Sequence, residues 1–488
     1  MDKRNDSAED ENLLAIGGRI AESSTFGRRL REGFALSVLA SASAMTALHF
    51  NIVILALPHI ARSLDVPLAK LQWVVTGFSL AYSGCLMLGG RAADLLGRRR
   101  TFVFSLIVFG IGSVIGAAAK SIEMVIAARI VQGVGGSILF PSTVALINTI
   151  FAEGVERNRA LGVWSLISSS GATMGALAGG VLVASFGWQS VFLINVPIAA
   201  ATAISALFAL PTDGRSIRRR SFDIRGAIAA AASVTLLLCF LTSAPVDGLI
   251  SMRSMLLFGG SIASAIICIA VERSVADPLI DGALLLLPGV RIAMVLAAVL
   301  MGTFMTVPYF LTLMFQNAYG YSPIETGATL FVPSLSIMLG TQMGARMEAR
   351  VGVRKLLVSS LLVGAAGTFS LALAIDPAYG LIPMIPSLLL FGFGQGATWS
   401  GLWILAGQGV SSDRQGASSS LVSTAMWIGG GTGLALLVGI AHWARVSCVA
   451  CSGISQDVTG TRAVLITATA FILLGALTAM AARSNRAT

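Results

Sequence analysis

Residues 72–119 read QWVVTGFSLAYSGCLMLGGRAADLLGRRRTFVFSLIVFGIGSVIGAAA. An apolar run leads into a tight charged turn, and a second apolar run leaves it. A helix rises about 1.5 Å per residue, so roughly 20 apolar residues cross a hydrocarbon core of about 30 Å. The stretch therefore reads as two membrane helices joined by a short polar loop. That loop, Gly90-Arg-Ala-Ala-Asp94-Leu-Leu-Gly97-Arg98-Arg99-Arg100, has chemistry of its own. Gly97 permits a sharp bend, Asp94 can cap a helix end, and Arg98 and Arg99 suit anionic lipid or a neighbouring carboxylate. The plainer reading of the same loop is a basic anchor that fixes topology.

Working outward, the pattern repeats along the chain. Of 488 residues, 55% are hydrophobic and 11% charged. A soluble domain carries about 25% charged residues, so a water-facing surface cannot be built here. Alternating strand patterns are absent, which disfavours a membrane β-barrel. Fourteen spans are expected, at 34–58, 72–93, 101–119, 124–148, 161–184, 190–210, 226–243, 254–271, 291–315, 324–345, 355–375, 383–407, 417–440 and 463–482. Residues 1–33 read as a disordered cytosolic tail with a short surface helix near Phe26 to Arg31, and nothing in them resembles a cleavable signal peptide. The basic break at 211–225 divides the chain into a six-helix bundle at 34–210, a linker with two extra helices at 211–271, a second six-helix bundle with its preceding loop at 272–482, and a tail at 483–488. Such paired halves place a substrate site between them, near the midplane.

The net charge is +10. Most of the basic residues lie in the tail and in alternate loops, including Arg98–Arg100, Arg157, Arg218–Arg220 and Arg354. The positive-inside rule then places both termini in the cytosol of a cell (inner) membrane protein. Nucleic acid is not needed to explain the charge. Cys85, Cys239 and Cys268 read as packing residues. Cys448 and Cys451 form a C-x-x-C in the last external loop, where a disulfide is open to them. No metal-ligand cluster, phosphate loop or dinucleotide fold is present, so no cofactor, metal or bond-breaking chemistry is expected.

Within the fourth span stands Arg129-Ile-Val-Gln132-Gly133-Val-Gly135-Gly136. An arginine at membrane depth is costly and marks a functional candidate, against the plainer reading of one satisfied by carbonyls. In the fifth span Gly171, Gly175 and Gly179 recur every fourth residue, followed by Gly180, and line one face for close helix packing. The charged loop, the arginine stretch and the glycine stripe resemble, in that order, motifs A, B and C of the major facilitator superfamily. Leu71-Gln-Trp73, Gly187-Trp188 to Asn195-Val-Pro197, Gly320-Tyr-Ser-Pro323-Ile-Glu325 and Gly416 to Gly430 are similar to its fourteen-helix drug:proton antiporter branch. The resemblance implies an all-α fold of two six-helix bundles plus two linker helices. It also implies a loop that latches one conformation, an arginine near the proton-coupling site, and export by alternating access. Leu95 stands where the family has an arginine, and Ala176 where it has a proline.

The first span departs most. It reads His49-Phe50-Asn51-Ile-Val-Ile-Leu-Ala-Leu-Pro58, with His49 at the family's acidic position and Asn51 at its threonine. His49 lies about 13 Å, and Arg129 about 9 Å, inside the same end of their spans, so the two can share a cavity. No Asp or Glu lies deep in any span. Arginine keeps its charge and histidine can lose it, so His49, Asn51, Arg129 and Gln132 are the candidate coupling site. A packing histidine is the plainer alternative, and His59 and His442 read as surface residues. A cavity without a carboxylate suits neutral or anionic amphiphiles better than cations. Trp164, Phe304, Tyr309, Trp399, Trp403 and Trp427 are candidate lining residues, although such side chains more often serve as packing. The expected activity is proton-driven export of small amphiphilic compounds by a monomer in contact with membrane lipid. The alternatives are a proton symporter on the same fold and a transport-dead sensor or scaffold.

Overall fold

The computed structural model describes residues 3–152, 155–213, 224–248, 250–274, 282–377, 379–411, 414–448 and 453–482. These residues form helices joined by short turns and loops, with no strand among them. In order the helices are α1 (Lys3–Ser63), α2 (Leu68–Leu96), α3 (Arg98–Ala117), α4 (Ile122–Ile150), α5 (Val155–Phe186), α6 (Ser190–Leu193), α7 (Asn195–Ala209), α8 (Ile224–Asp247), α9 (Met252–Ser274), α10 (Gly282–Leu286), α11 (Pro288–Asn317), α12 (Pro323–Val351), α13 (Val353–Ala374), α14 (Ile385–Gly407), α15 (Gln415–Ser447) and α16 (Ile454–Met480). Each of the fourteen expected spans falls on helix. Among the described residues, eleven helices are long and apolar enough to cross a membrane, and Ile228–Ala244 is a shorter apolar helix. The expected spans at 72–93 and 324–345 fall on α2 and α12, which are not among those eleven. The backbone over 3–33 is not the irregular tail expected: α1 begins at Lys3 and runs on into the first span. Its Ala, Glu, Leu and Arg content favours helix, and no proline interrupts it before Pro58.

Local chemistry sets the helix ends. Ser121 caps α4 by accepting from the Met124 N–H. Ser322 and Glu325 form a capping box at α12, with Pro323 in the first turn. The turn from α2 to α3 passes through Gly97 at φ +100°, and that from α12 to α13 through Gly352 at φ +81°. Only glycine adopts such backbone without strain.

The helices pack in two groups, α1–α7 and α11–α16. The groups meet along α5 with α12, α2 with α15, and α1 with α11. The pair α8 and α9 lies over the α2–α15 seam, with Gly84 of α2 facing Ala231 and Gly431 of α15 facing Leu238. Reciprocal Ser233–Ser261 hydrogen bonds join α8 to α9. Large apolar side chains such as Phe104, Phe208, Ile266 and Leu477 point outward and are exposed. A belt of that kind needs lipid rather than water around it.

Candidate functional site

The buried polar centre lies inside the first group. Arg129 of α4 is 1% exposed and His49 of α1 is 0% exposed. Arg129 Nη1 lies 2.8 Å from His49 Nε2 and donates to Gln132 Oε1 at 3.3 Å. Its Nε donates to the Val74 carbonyl at 3.0 Å, and its Cζ sits 4.3 Å from the centre of the Phe78 ring. Both contacts come from α2, four residues apart and so on one helix face. Gln132 Oε1 also lies 2.8 Å from His49 Nε2, and Gln132 Nε2 donates to Ser113 Oγ of α3 at 2.9 Å. Asn195 Nδ2 of α7 lies 2.8 Å from His49 Nδ1, while the rings of Phe109 and Phe192 stand edge-on to the imidazole.

This arrangement holds one charge and one titratable ring without a carboxylate among the described partners. Nε2 faces both a donor, Arg129, and an acceptor, Gln132 Oε1, and a neutral ring satisfies only one of them at a time. Asn195 Oδ1 is buried with no hydrogen-bond partner. Rotating that amide would present Oδ1 to Nδ1–H, so the shell can accept either protonation state of His49.

Of the four residues expected here, the structure brings together His49, Arg129 and Gln132. Asn51 does not join them. Two residues along a helix turn the side chain by about 200°, and Asn51 lies against Gly175 of α5. Ser113, Asn195 and Phe78 complete the cluster. Asn195 stood in a quoted motif, yet nothing in the sequence pointed it at His49.

The glycine stripe of α5 works by close approach. A Cβ at Gly171 would lie 2.6 Å from the Ala44 carbonyl oxygen, and one at Gly175 2.7 Å from that of Leu48. Gly179 faces Ile52 of the same helix, whereas Gly180 faces Pro323 and Ile324 of α12. Across the same seam Gly327 faces Ala176, and Gln316 of α11 donates to the Leu55 carbonyl at 3.1 Å. The two groups are therefore closed on each other at the end away from Arg98–Arg100.

At the basic end, Gly90 and Gly97 lie in α2 and at its end. Arg98 donates to Thr149 Oγ1 and, at 3.2 Å, to the Ala145 carbonyl of α4; Arg99 donates to the Leu207 carbonyl of α7. All these partners belong to the same helical group. The side chain of Asp94 lies outside the described residues. Asp213, absent from the sequence reading, accepts from the backbone N–H groups of Arg99 and Arg100 at 3.0 and 3.1 Å and so caps α3 from more than a hundred residues away.

The candidate lining aromatics fall into separate sets. Trp164 donates to Ser43 Oγ at 2.7 Å and packs on Phe140. Trp399 and Trp403 pair with each other on α14. Trp427 of α15 lies 4.2 Å from Tyr82 and 5.7 Å from Phe78, centre to centre. Tyr309 is buried beside Phe310, and Phe304 lies outside the described side chains. His442 is exposed, but His59, expected on the surface, is half-buried with Nδ1 unpartnered. Cys448 is disulfide-bonded, and Cys451 lies outside the described residues.

A second polar cluster lies in the other group. Gln395 Nε2 of α14 donates to Thr303 Oγ1 of α11 at 3.1 Å, and Ser360 Oγ of α13 lies 2.9 Å from Thr398 Oγ1. Gln395 Oε1 is buried without a partner and borders a cavity of about 10 Å³. That is room for one water.

Comparison with known proteins places this architecture. The chain is 33% identical over 443 residues to the puromycin resistance protein pur8 of Streptomyces alboniger, covering 88% of this chain and 86% of that protein. It is 34% identical over 415 residues to the cephamycin export protein CmcT of Amycolatopsis lactamdurans, covering 83% and 84%. The human organic anion transporter MFSD10 has a similar fold, with TM-score 0.61 and 16% identity over 92% of this chain and 99% of that one. The POT family transporter PepTSo does too, with TM-score 0.65 and 13% identity over 93% and 99%. The Major Facilitator Superfamily profile matches residues 39–434, and the chain belongs to that superfamily.

Proposed function

We propose that the protein is a non-enzymatic exporter of small amphiphilic compounds, driven by proton entry through alternating access. Relatives that span most of the chain are antibiotic and natural-product resistance and export proteins. The observation that carries the coupling is the buried Arg129–His49 pair at 2.8 Å. A proton on His49 puts two cations in contact in a site that water does not screen. The pair therefore favours different surroundings in its two protonation states, which a coupled carrier requires.

In this reading the chain crosses the cell membrane fourteen times as two six-helix bundles plus α8 and α9, works as a monomer, and keeps both termini in the cytosol. The basic end is then cytosolic, and the Gly180–Pro323 and Gln316–Leu55 contacts close the external mouth. External protons reach the site when that mouth opens, substrate leaves, and proton loss to the cytosol resets the carrier. The absence of a carboxylate among the described groups of the cluster favours neutral or anionic substrates.

The test is flux in reconstituted vesicles under an imposed pH gradient, with neutral, anionic and cationic amphiphiles. Gradient-driven transport of the first two classes is expected, and His49→Ala should reduce it to the gradient-free rate. Driven transport that survives in the variant removes His49 from the mechanism.

A further inference from the structure

We propose that Phe78 is a positioning residue that passes the charge state of the His49–Arg129 pair to the opposite helical group, through its ring contact with Trp427. This inference rests on the proton-coupled reading above.

Phe78 is 2% exposed and stands between the two systems. One of its neighbours is the guanidinium of Arg129, 4.3 Å from the ring centre. The other is Trp427 of α15, 5.7 Å away, which also packs on Phe50 and Tyr82. The position is rigidly set, because a Cβ at Gly133 of α4 would lie 2.5 Å from the Phe78 carbonyl oxygen. Glycine there brings α4 onto α2 directly beneath the ring.

With the neutral ring's proton on Nδ1, Arg129 has four neighbours that can take its charge: His49 Nε2, Gln132 Oε1, the Val74 carbonyl and the Phe78 ring. A proton added at Nε2 removes the first as an acceptor and turns Gln132 Oε1 toward the imidazolium. The Val74 carbonyl and the ring face of Phe78 remain, both on α2. A cation over an aromatic face is held by the ring quadrupole, and more strongly where water is excluded. The guanidinium thus bears harder on Phe78 when His49 is charged, and the same ring is in contact with Trp427 of α15. Among the described residues, Arg129 is the one charged group in contact with His49. It is the only charged residue of α4 beyond its first turn, α3 carries charge only at Arg98–Arg100, and α6 and α7 carry none. The other helices packed on α1 carry charge towards their ends: α2 at Lys70, Arg91 and Asp94, α5 at Glu156, Arg157 and Arg159, α11 at Arg291, and α12 at Glu325, Arg346, Glu348 and Arg350.

The test replaces Phe78 in the full-length protein with mono-, di- and trifluorophenylalanine. These keep the ring's shape while weakening its quadrupole stepwise. The first readout is the pH dependence of Trp427 emission in detergent, taken as the difference from Trp427→Phe; it needs neither substrate nor flux. The expected result is a pH response in the unchanged protein that is lost in His49→Gln. Its midpoint should move to more acidic pH with each fluorine, by about one unit across the series. Phe78→Trp should restore a response that Phe78→Leu abolishes. A midpoint that ignores fluorination, or an emission that ignores pH, overturns the proposal. The second readout is vesicle flux. If flux ignores the pH gradient while the Trp427 series behaves as expected, the bridge stands and the antiport reading fails.

Discussion

The polar cluster of the first helical group and that of the second are built on one frame and filled differently. In each, a glutamine on the group's fourth helix gives its amide N–H to a hydroxyl: Gln132 to Ser113, and Gln395 to Thr303. In each, the glutamine is followed by a glycine that sits close to the group's second helix, Gly133 on α2 and Gly396 on α12. Three residues earlier the likeness ends, with Arg129 in one and Gly392 in the other. On the first helix His49 corresponds to Thr303. The first cluster thus holds a fixed charge and a titratable ring, and its neighbours are crowded with hydrogen bonds. The second holds hydroxyls, one amide and a one-water cavity. A repeated scaffold can confine a charge and a titratable ring to one half and leave the other as neutral packing, with no change in backbone plan.

Breaking the charged side should have the largest effect. Arg129→Leu strips partners from His49 Nε2, Gln132 Oε1 and the Val74 carbonyl, and charge-assisted bonds are worth about 1.5–3 kcal/mol each. Driven flux in vesicles should fall on the order of a hundredfold. A fall of the same size in Gln395→Leu would erase the contrast between the clusters. Next comes His49→Gln, which keeps hydrogen bonding and loses titration. Gradient-driven flux should collapse to the gradient-free rate while substrate exchange without a gradient persists, as radiolabelled counterflow would show. Asn195→Asp sharpens the comparison by giving the charged cluster the carboxylate it lacks. The pH of half-maximal driven flux should then rise by about one unit, and cationic amphiphiles should become better substrates in competition assays. The smallest effect is expected from Gln395→Met, which gives up one amide–hydroxyl bond to Thr303 and at the same time removes a buried acceptor that has no partner. Detergent thermal unfolding should place its stability within about 1 kcal/mol of the parent, with driven flux unchanged within twofold.

Much of this was legible in the sequence, and the limits have a physical cause. Run length and loop charge placed the helices. Depth arithmetic put His49 and Arg129 at one level, and the structure has them in contact. What sequence could not supply was helix rotation. A soluble helix declares its inward face by its polarity, but a membrane helix is apolar towards lipid and protein alike, so its phase is unmarked. Asn51 therefore looked like a neighbour of His49 yet faces α5, and the tryptophans looked like one lining yet fall into three sets. Long-range partners were hidden for a related reason. Asp213 caps α3, and Ser113, Asn195 and Phe78 surround Arg129 and His49, through tertiary approach alone.

The placement of α8 and α9 makes the two flanks of the molecule unequal. The seam between α2 and α15 is roofed by α8, with Gln72 Nε2 reaching the Thr242 carbonyl at 3.5 Å. Among the described residues the seam between α5 and α12 carries no such cover, and Met174, Leu335 and Leu339 stand exposed along those helices. A greasy molecule drifting sideways through the bilayer meets a wall on one flank and bare helix edges on the other. The added pair gives an otherwise two-sided carrier a front and a back.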